Sequence, residues 1–218
     1  MSTNNGILNV FQKDLVRGEE VSAYAKKIGY GVKKYFFIES PKEGWRVFIR
    51  ACCFIHIKGK RFDPSKFIVV KTTGASPSTK SWEPPKGQTE GKDGLRNPDD
   101  SLLEILTQNI QREVWEEAKL ENIQDIKHTG LVLQSTESTY PENTYFQYHI
   151  FNAFIDETEF DKAKAKLDWY KEHPKAWEKL RIDNREKDDI AIFDPKKTKM
   201  MGRWSPSIVA LYLHNVKG

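Results

Sequence analysis

Cysteine is nearly absent from this chain. Two residues in 218 are Cys52 and Cys53, and they are adjacent. Neighbours on a strand point to opposite faces, so this pair cannot staple a fold, and a disulfide framework is excluded. No apolar run reaches the length needed to span a bilayer. Residues Met1 to Gly6 are polar and lack a signal-peptide pattern. An intracellular protein away from membranes is therefore expected, in the cytoplasm first and the nucleus as the alternative. The five histidines are scattered, without zinc-ligand spacing. There is no Walker loop, dinucleotide-binding glycine fingerprint or nucleophile elbow. Neither sign of charge dominates: the net +4 suits a phosphate-bearing ligand without demanding nucleic acid.

What is present reads as one α/β domain over residues 1–218, large enough to bury roughly 70% of its unfolded surface without staples. β-Branched and aromatic runs predict strands at Tyr35 to Glu39, Arg46 to Ile57, Lys66 to Thr72, Gly130 to Gln134, Tyr145 to Ile155 and Asp189 to Phe193. Helices are expected over about Glu19 to Lys27, over Ser101 to Leu120, and over Ser205 to Val216. In the last, Ser205 is expected to cap and Pro206 to take the first position. Residues 1–44 read as an N-terminal extension. Residues 156–187 are highly charged, contain Trp169, Tyr170 and Trp177, and are divided by Pro174. They read as an inserted helical hairpin or lid.

The most telling segment is Arg112-Glu113-Val114-Trp115-Glu116-Glu117. On a helix, Glu113, Glu116 and Glu117 stand at i, i+3 and i+4, on one side within a turn. Carboxylates that close repel unless a cation sits among them, and a hard divalent metal prefers such oxygens. Ser101 is the expected N-cap, with Glu104 completing a capping box. Leu103, Leu106, Ile110, Val114 and Ala118 form one apolar stripe. Glu117 falls inside that stripe, Glu113 at its edge and Glu116 just beyond. A carboxylate aimed at a core cannot remain ionised and unpaired. The bland alternative is a solvated, Glu-rich helix face, and the position of Glu117 argues against it.

These residues resemble the signature of the Nudix hydrolases: Gly, five residues, Glu, seven residues, then Arg-Glu-U-x-Glu-Glu-x-Gly-U, where U is bulky and aliphatic. Arg112, Glu113, Val114, Glu116, Glu117 and Leu120 match in place, and Glu104 stands seven intervening residues before Arg112. Upstream, Trp82-Glu83-Pro84-Pro85-Lys86-Gly87 is similar to the strand end and turn that open the motif in dinucleoside tetraphosphate hydrolases. Its Pro-Lys-Gly part is also seen in mRNA-decapping relatives. Two departures stand out. Sixteen residues separate Gly87 from Glu104 instead of five, which leaves Glu104 and Asp93 as alternatives for the first acid. The polar insertion, residues 92–100, reads as a surface loop. Lys119 replaces the usual Gly, so the helix is expected to run on by a residue or two.

The resemblance implies a Nudix α/β/α sandwich with a mixed sheet, and a metal-dependent pyrophosphohydrolase. Mg²⁺ or Mn²⁺ would be bound by Glu113, Glu116 and Glu117 with a main-chain carbonyl near Lys86 or Gly87, and would neutralise phosphate and activate water. Arg112 would hold a glutamate by a bidentate pair. A further acid serves many relatives as general base, with Glu137 and Glu186 the leading candidates here. Lys86 either meets phosphate or is a solvated turn lysine. Tyr140 and Tyr145 are candidates for stacking on a base, with core packing as the alternative. The expected substrate is a diphosphate linkage in a nucleotide derivative: a dinucleoside polyphosphate or the 5′ end of capped RNA. Diphosphoinositol polyphosphates, nucleoside diphosphate sugars and a non-catalytic RNA- or partner-binding module are the alternatives.

Overall fold

The computed structural model describes residues 6–22, 26, 31–59, 61–76 and 78–217. Nine strands run through them: β1 (Val16–Val21), β2 (Lys34–Ser40), β3 (Trp45–Ile57), β4 (Ile68–Thr72), β5 (Trp82–Glu83), β6 (Lys86–Gln88), β7 (Gln124–Ser135), β8 (Thr144–Ile155) and β9 (Lys187–Ile192). The described helices are α1 (Gly91–Leu95), α2 (Leu102–Ala118), α3 (Glu157–Glu172), α4 (Pro174–Glu178) and α5 (Trp204–Asn215), with a 3-10 turn at Ile182–Arg185. This is the α/β class the sequence implies. One sheet has the order β1-β2-β3-β8-β7 with β6 also on β3; a second has the order β5-β4-β9. Among the described residues, no helix is long and apolar enough to cross a membrane.

The chain forms two compact units. The first comprises Met1–Ala51, Gly87–Asn109 and Val132–His149. Its core is aromatic. Phe37 opposes Phe48 across the β2–β3 pair, and Phe48 stacks on Phe146 with centroids 5.2 Å apart. The expected helix at Glu19 to Lys27 gives way to β1 at Glu19–Val21, because this stretch pairs with β2 in register, Glu19 opposite Phe36. Residues 23–25 and Lys27 lie outside the described residues. The insertion expected as loop is helical in its first half. α1 lies close on β1 and β2 because Gly91 and Gly94 have no side chains: a Cβ on Gly94 would sit 2.1 Å from the ring of Phe36.

The second unit comprises Cys52–Lys86, Ile110–Leu131 and Ile150–Gly218. Its core stacks Phe54 on Tyr212 at 3.6 Å and Phe67 on Phe193 at 4.7 Å. β4 pairs antiparallel with β9, Ile68 opposite Ile192, and with β5, Val70 opposite Glu83. α3 turns Ala163 and Leu167 inward and ties Lys164 and Lys171 to Asp189 of β9. Cys52 and Cys53 are both fully buried on β3. Burial pushes both thiols up, and Lys86, Glu83 and Glu117 act on Cys52 alone. α5 begins at Trp204, two residues before the expected first position at Pro206, and carries no side-chain cap. Ser205 does not cap, because its Oγ donates to Glu83 Oε2 at 3.0 Å.

Candidate functional site

α2 starts with the capping box. Ser101 N–H donates to Glu104 Oε2 at 2.7 Å, and Glu104 N–H donates to Ser101 Oγ at 3.2 Å. Glu104 is thereby committed to the helix start. The buried stripe includes Leu106, Ile110, Val114 and Ala118 as expected, but Leu103 is 44% exposed. Leu102, Ile105 and Asn109 are buried instead. The buried arc is therefore offset from the expected stripe in the first turns of the helix.

At the other end α2 stops at Ala118. Lys119 takes φ +59°, the left-handed conformation a glycine would adopt more readily. The helix therefore does not run on. Lys119 is buried, and its ammonium donates to the carbonyls of Glu116 and of Asn184, the latter at 2.6 Å in the 3-10 turn. Burial and the nearby Lys166 bring its pKa down to about 8, against the pull of Glu116 and Glu117. The two carbonyl bonds hold a residue that backbone sterics disfavour.

The three carboxylates lie on the inward side of the last turns. Arg112 forks between two of them: Nη2 is 2.9 Å from Glu113 Oε1 and Nη1 is 2.8 Å from Glu116 Oε2. Glu117 is 4% exposed. Its Oε2 accepts the backbone N–H of Lys86 at 2.9 Å, and its Oε1 stands 3.4 Å from Lys187 Nζ. The two halves of the sequence motif, 31 positions apart, thus meet through one hydrogen bond. Lys86 is half-buried and ion-paired. Its Nζ is 2.7 Å from Glu83 Oε2, because a carboxylate buried as deeply as Glu83 requires a cation. Lys187 bonds the other oxygen of Glu83.

Five carboxylates, Glu83, Glu113, Glu116, Glu117 and Glu186, thus face four cations in this unit, Arg112, Lys86, Lys187 and Lys119. Burial opposes the charge of Glu83, but Lys86 and Lys187 overcome it and hold its pKa low. Burial drives Glu117 the other way, up to about 7, with Glu83 adding to the rise and Lys187 and Lys86 resisting it. Glu113 is raised well above the carboxylate range by burial, against the pull of Arg112 and with the charges of Glu117, Glu116 and Glu186 adding to the rise. The cluster is under-neutralised. Among the described residues, no three His, Cys, Asp or Glu side chains converge as a ready metal cage. The donor chemistry nevertheless fits a hard divalent cation: three carboxylates on adjacent turns, with a charge deficit that such an ion would relieve.

Of the other sequence candidates, Glu186 lies near enough for its charge to reach Glu113, and its carbonyl accepts the N–H of Thr73. Glu137, in the first unit, pairs with Arg50 Nη2 at 3.4 Å. Tyr140 sets its ring edge-on to Phe48 and Phe146, and Tyr145 is half-buried on β8. Gly87 is half-buried in β6. Asp188 and Asp189 are engaged by Lys71 and Lys164. Sequence reading passed over Arg50, Glu83 and Lys187. Arg50 donates to Gln88 Oε1 at 2.6 Å and lies over the ring of Phe146. Its signal was an arginine between the apolar runs Val47–Ile49 and Ala51–Ile55 of β3.

No family model matches the chain, and no curated protein matches it. Similar solved structures include two described as Nudix hydrolases from Nitrosomonas europaea. One is 14% identical, covers 76% of this chain and 87% of its own, and has a TM-score of 0.42. The other is 11% identical, covers 91% and 85%, and scores 0.40. A bifunctional NMN adenylyltransferase/ADP ribose pyrophosphatase from Francisella tularensis is 14% identical over 88% of this chain, which spans 45% of that one, with a TM-score of 0.40.

Proposed function

We propose that this chain is a metal-dependent hydrolase of the Nudix type that cleaves a diphosphate linkage in a nucleotide-derived substrate. The observation that carries the reading is the junction of the Pro-Pro-Lys-Gly turn with the Arg-Glu-Val-Trp-Glu-Glu helix, where Lys86 N–H meets Glu117 amid a carboxylate excess. Glu113, Glu116 and Glu117, with a main-chain carbonyl of the Lys86 turn, would hold Mg²⁺ or Mn²⁺. When bound, the ion supplies charge neutralisation at phosphate oxygens and activation of water.

The remaining work falls to this chain's own side chains. Arg112 fixes the directions of Glu113 and Glu116 by its fork. Lys187 and Lys86 keep Glu83 ionised, and the Lys86 N–H fixes the direction of Glu117. Glu186 is the better candidate to take a proton from water, since its charge already reaches Glu113, whereas Glu137 is engaged with Arg50. Within the substrate class we favour dinucleoside polyphosphates or capped RNA, on the Trp-Glu-Pro-Pro-Lys-Gly form.

The test is product analysis with diadenosine tetraphosphate, capped RNA, ADP-ribose and diphosphoinositol phosphates, each with Mg²⁺ and with Mn²⁺. Glu117→Gln should lower kcat by about 100-fold or more, the scale of losing a key electrostatic group. Silence on every substrate with both ions, or undiminished turnover in Glu117→Gln, would overturn the reading.

A further inference from the structure

The second unit contains a cavity of about 560 Å³ that uses none of the carboxylates of α2. It is framed by the end of β3, the chain that follows it, Asp125 of β7, Phe154 of β8 and Ile192 of β9. The volume lies in the roughly 300–1,000 Å³ range of small-molecule sites.

Its walls are aromatic. His56 meets Phe62 edge-on at 4.9 Å, and Phe154 lies 5.8 Å from His56. His56 is locked. A carbonyl can only accept, so Nδ1, 2.9 Å from Lys66 O, carries the proton. Nε2 of the neutral ring then accepts from the Tyr212 hydroxyl at 2.8 Å. The imidazole therefore serves this cavity as a fixed, uncharged plane.

The charged part of the lining is net cationic, with Lys58, Arg61 and Lys66 against Asp63 and Asp125. Of its two acids, Asp125 is 2.9 Å from Lys58, and Asp63 accepts both the N–H and the Oγ–H of Ser65. Arg61 and Lys66 make no ion pair within 4.0 Å among the described residues, although Lys66 acts on Asp63 and Asp194 at longer range. An aromatic pocket with a guanidinium and an ammonium at exposed positions of its lining matches a flat ring system carrying an anionic group. The rings offer stacking and the guanidinium a fork for phosphate oxygens.

We propose that this cavity binds a planar aromatic anion of nucleoside monophosphate size, base toward His56, Phe62 and Phe154 and phosphate toward Arg61 and Lys66. The site is independent of the chemistry assigned to α2. The experiment is calorimetric titration of the full chain in EDTA with adenosine 5′-monophosphate, adenosine and inorganic phosphate. The monophosphate should bind, with the two fragments weaker by roughly tenfold or more each. Arg61→Glu and Lys66→Glu, both at exposed positions that leave the core intact, should each weaken it by roughly tenfold or more. Phe62→Ala should weaken adenosine as well, and Glu117→Gln should leave every value unchanged. The proposal falls if the monophosphate does not bind at millimolar concentration. It falls equally if the two charge reversals leave binding intact, or if Glu117→Gln abolishes it, which would put the ligand on the carboxylate cluster instead.

Discussion

Lys187→Met is the sharpest perturbation of the buried charge cluster. Lys187 serves two carboxylates, Glu83 by direct contact and Glu117 at 3.4 Å. After its removal Glu83 keeps Lys86 at 2.7 Å and Ser205 at 3.0 Å, while Glu117 keeps the Lys86 N–H. Removing one partner of a buried ion pair costs about 3–5 kcal/mol, and the surviving bonds place this variant near about 3 kcal/mol at neutral pH. The sign with pH follows from the two glutamates. In the wild type Glu83 is held below its ordinary 4.5, so its stabilisation is present above that pH and is lost as pH falls. In the variant Glu117 loses the main cation resisting its upward shift. A carboxylate raised in the folded state takes up protons on folding, so its contribution is favourable at low pH and is lost as pH rises. The deficit of Lys187→Met should therefore shrink between pH 7 and pH 5, and Glu83→Gln in the same chain should recover part of it. Urea unfolding of wild type, Lys187→Met and the double variant at both pH values measures this. A deficit under about 1 kcal/mol at pH 7, below any reasonable cost for breaking a buried pair, or one that does not move with pH, would refute the reasoning.

Three further outcomes are expected. Gly94→Ala should destabilise by about 1–3 kcal/mol despite the better helix propensity of alanine, because its Cβ would strike the buried ring of Phe36; a rise in melting temperature would contradict this. Lys119→Gly should be less damaging than Lys119→Met, since glycine relieves the positive φ while both lose the two carbonyl bonds; thermal denaturation gives the order. His56 is held below its ordinary 6.5 by burial, so its stabilising contribution is full above that pH and is lost as pH falls; relative to wild type, His56→Gln should gain stability on going from pH 7 to pH 5, measured by urea unfolding.

What the sequence disclosed was local. The capping box is written in four consecutive residues, and both of its hydrogen bonds form within them. Strands β2, β3, β4, β8 and β9 announce themselves by β-branched and aromatic runs. The inward position of Glu117 followed from helical spacing alone. What stayed hidden depends on partners remote in sequence. Glu83 looks like a turn residue until Lys187 arrives from 104 positions away. Leu103 reads as core by periodicity, but the arc that α2 buries shifts between its first and second halves. Lys119 ends the helix where a lysine ordinarily would not, because Asn184 and Glu116 offer carbonyls to its ammonium. No pattern in the neighbouring residues carries that information.

The adjacent thiols of β3 give the molecule a built-in clock for its own opening. Burial keeps both of them protonated, so an alkylating reagent should leave the folded chain unmarked. Cys52 feels the charged side chains of Glu83, Lys86 and Glu117, whereas Cys53 answers to desolvation alone. Mass spectrometry after a brief denaturant pulse would then record which side of that strand water reaches first.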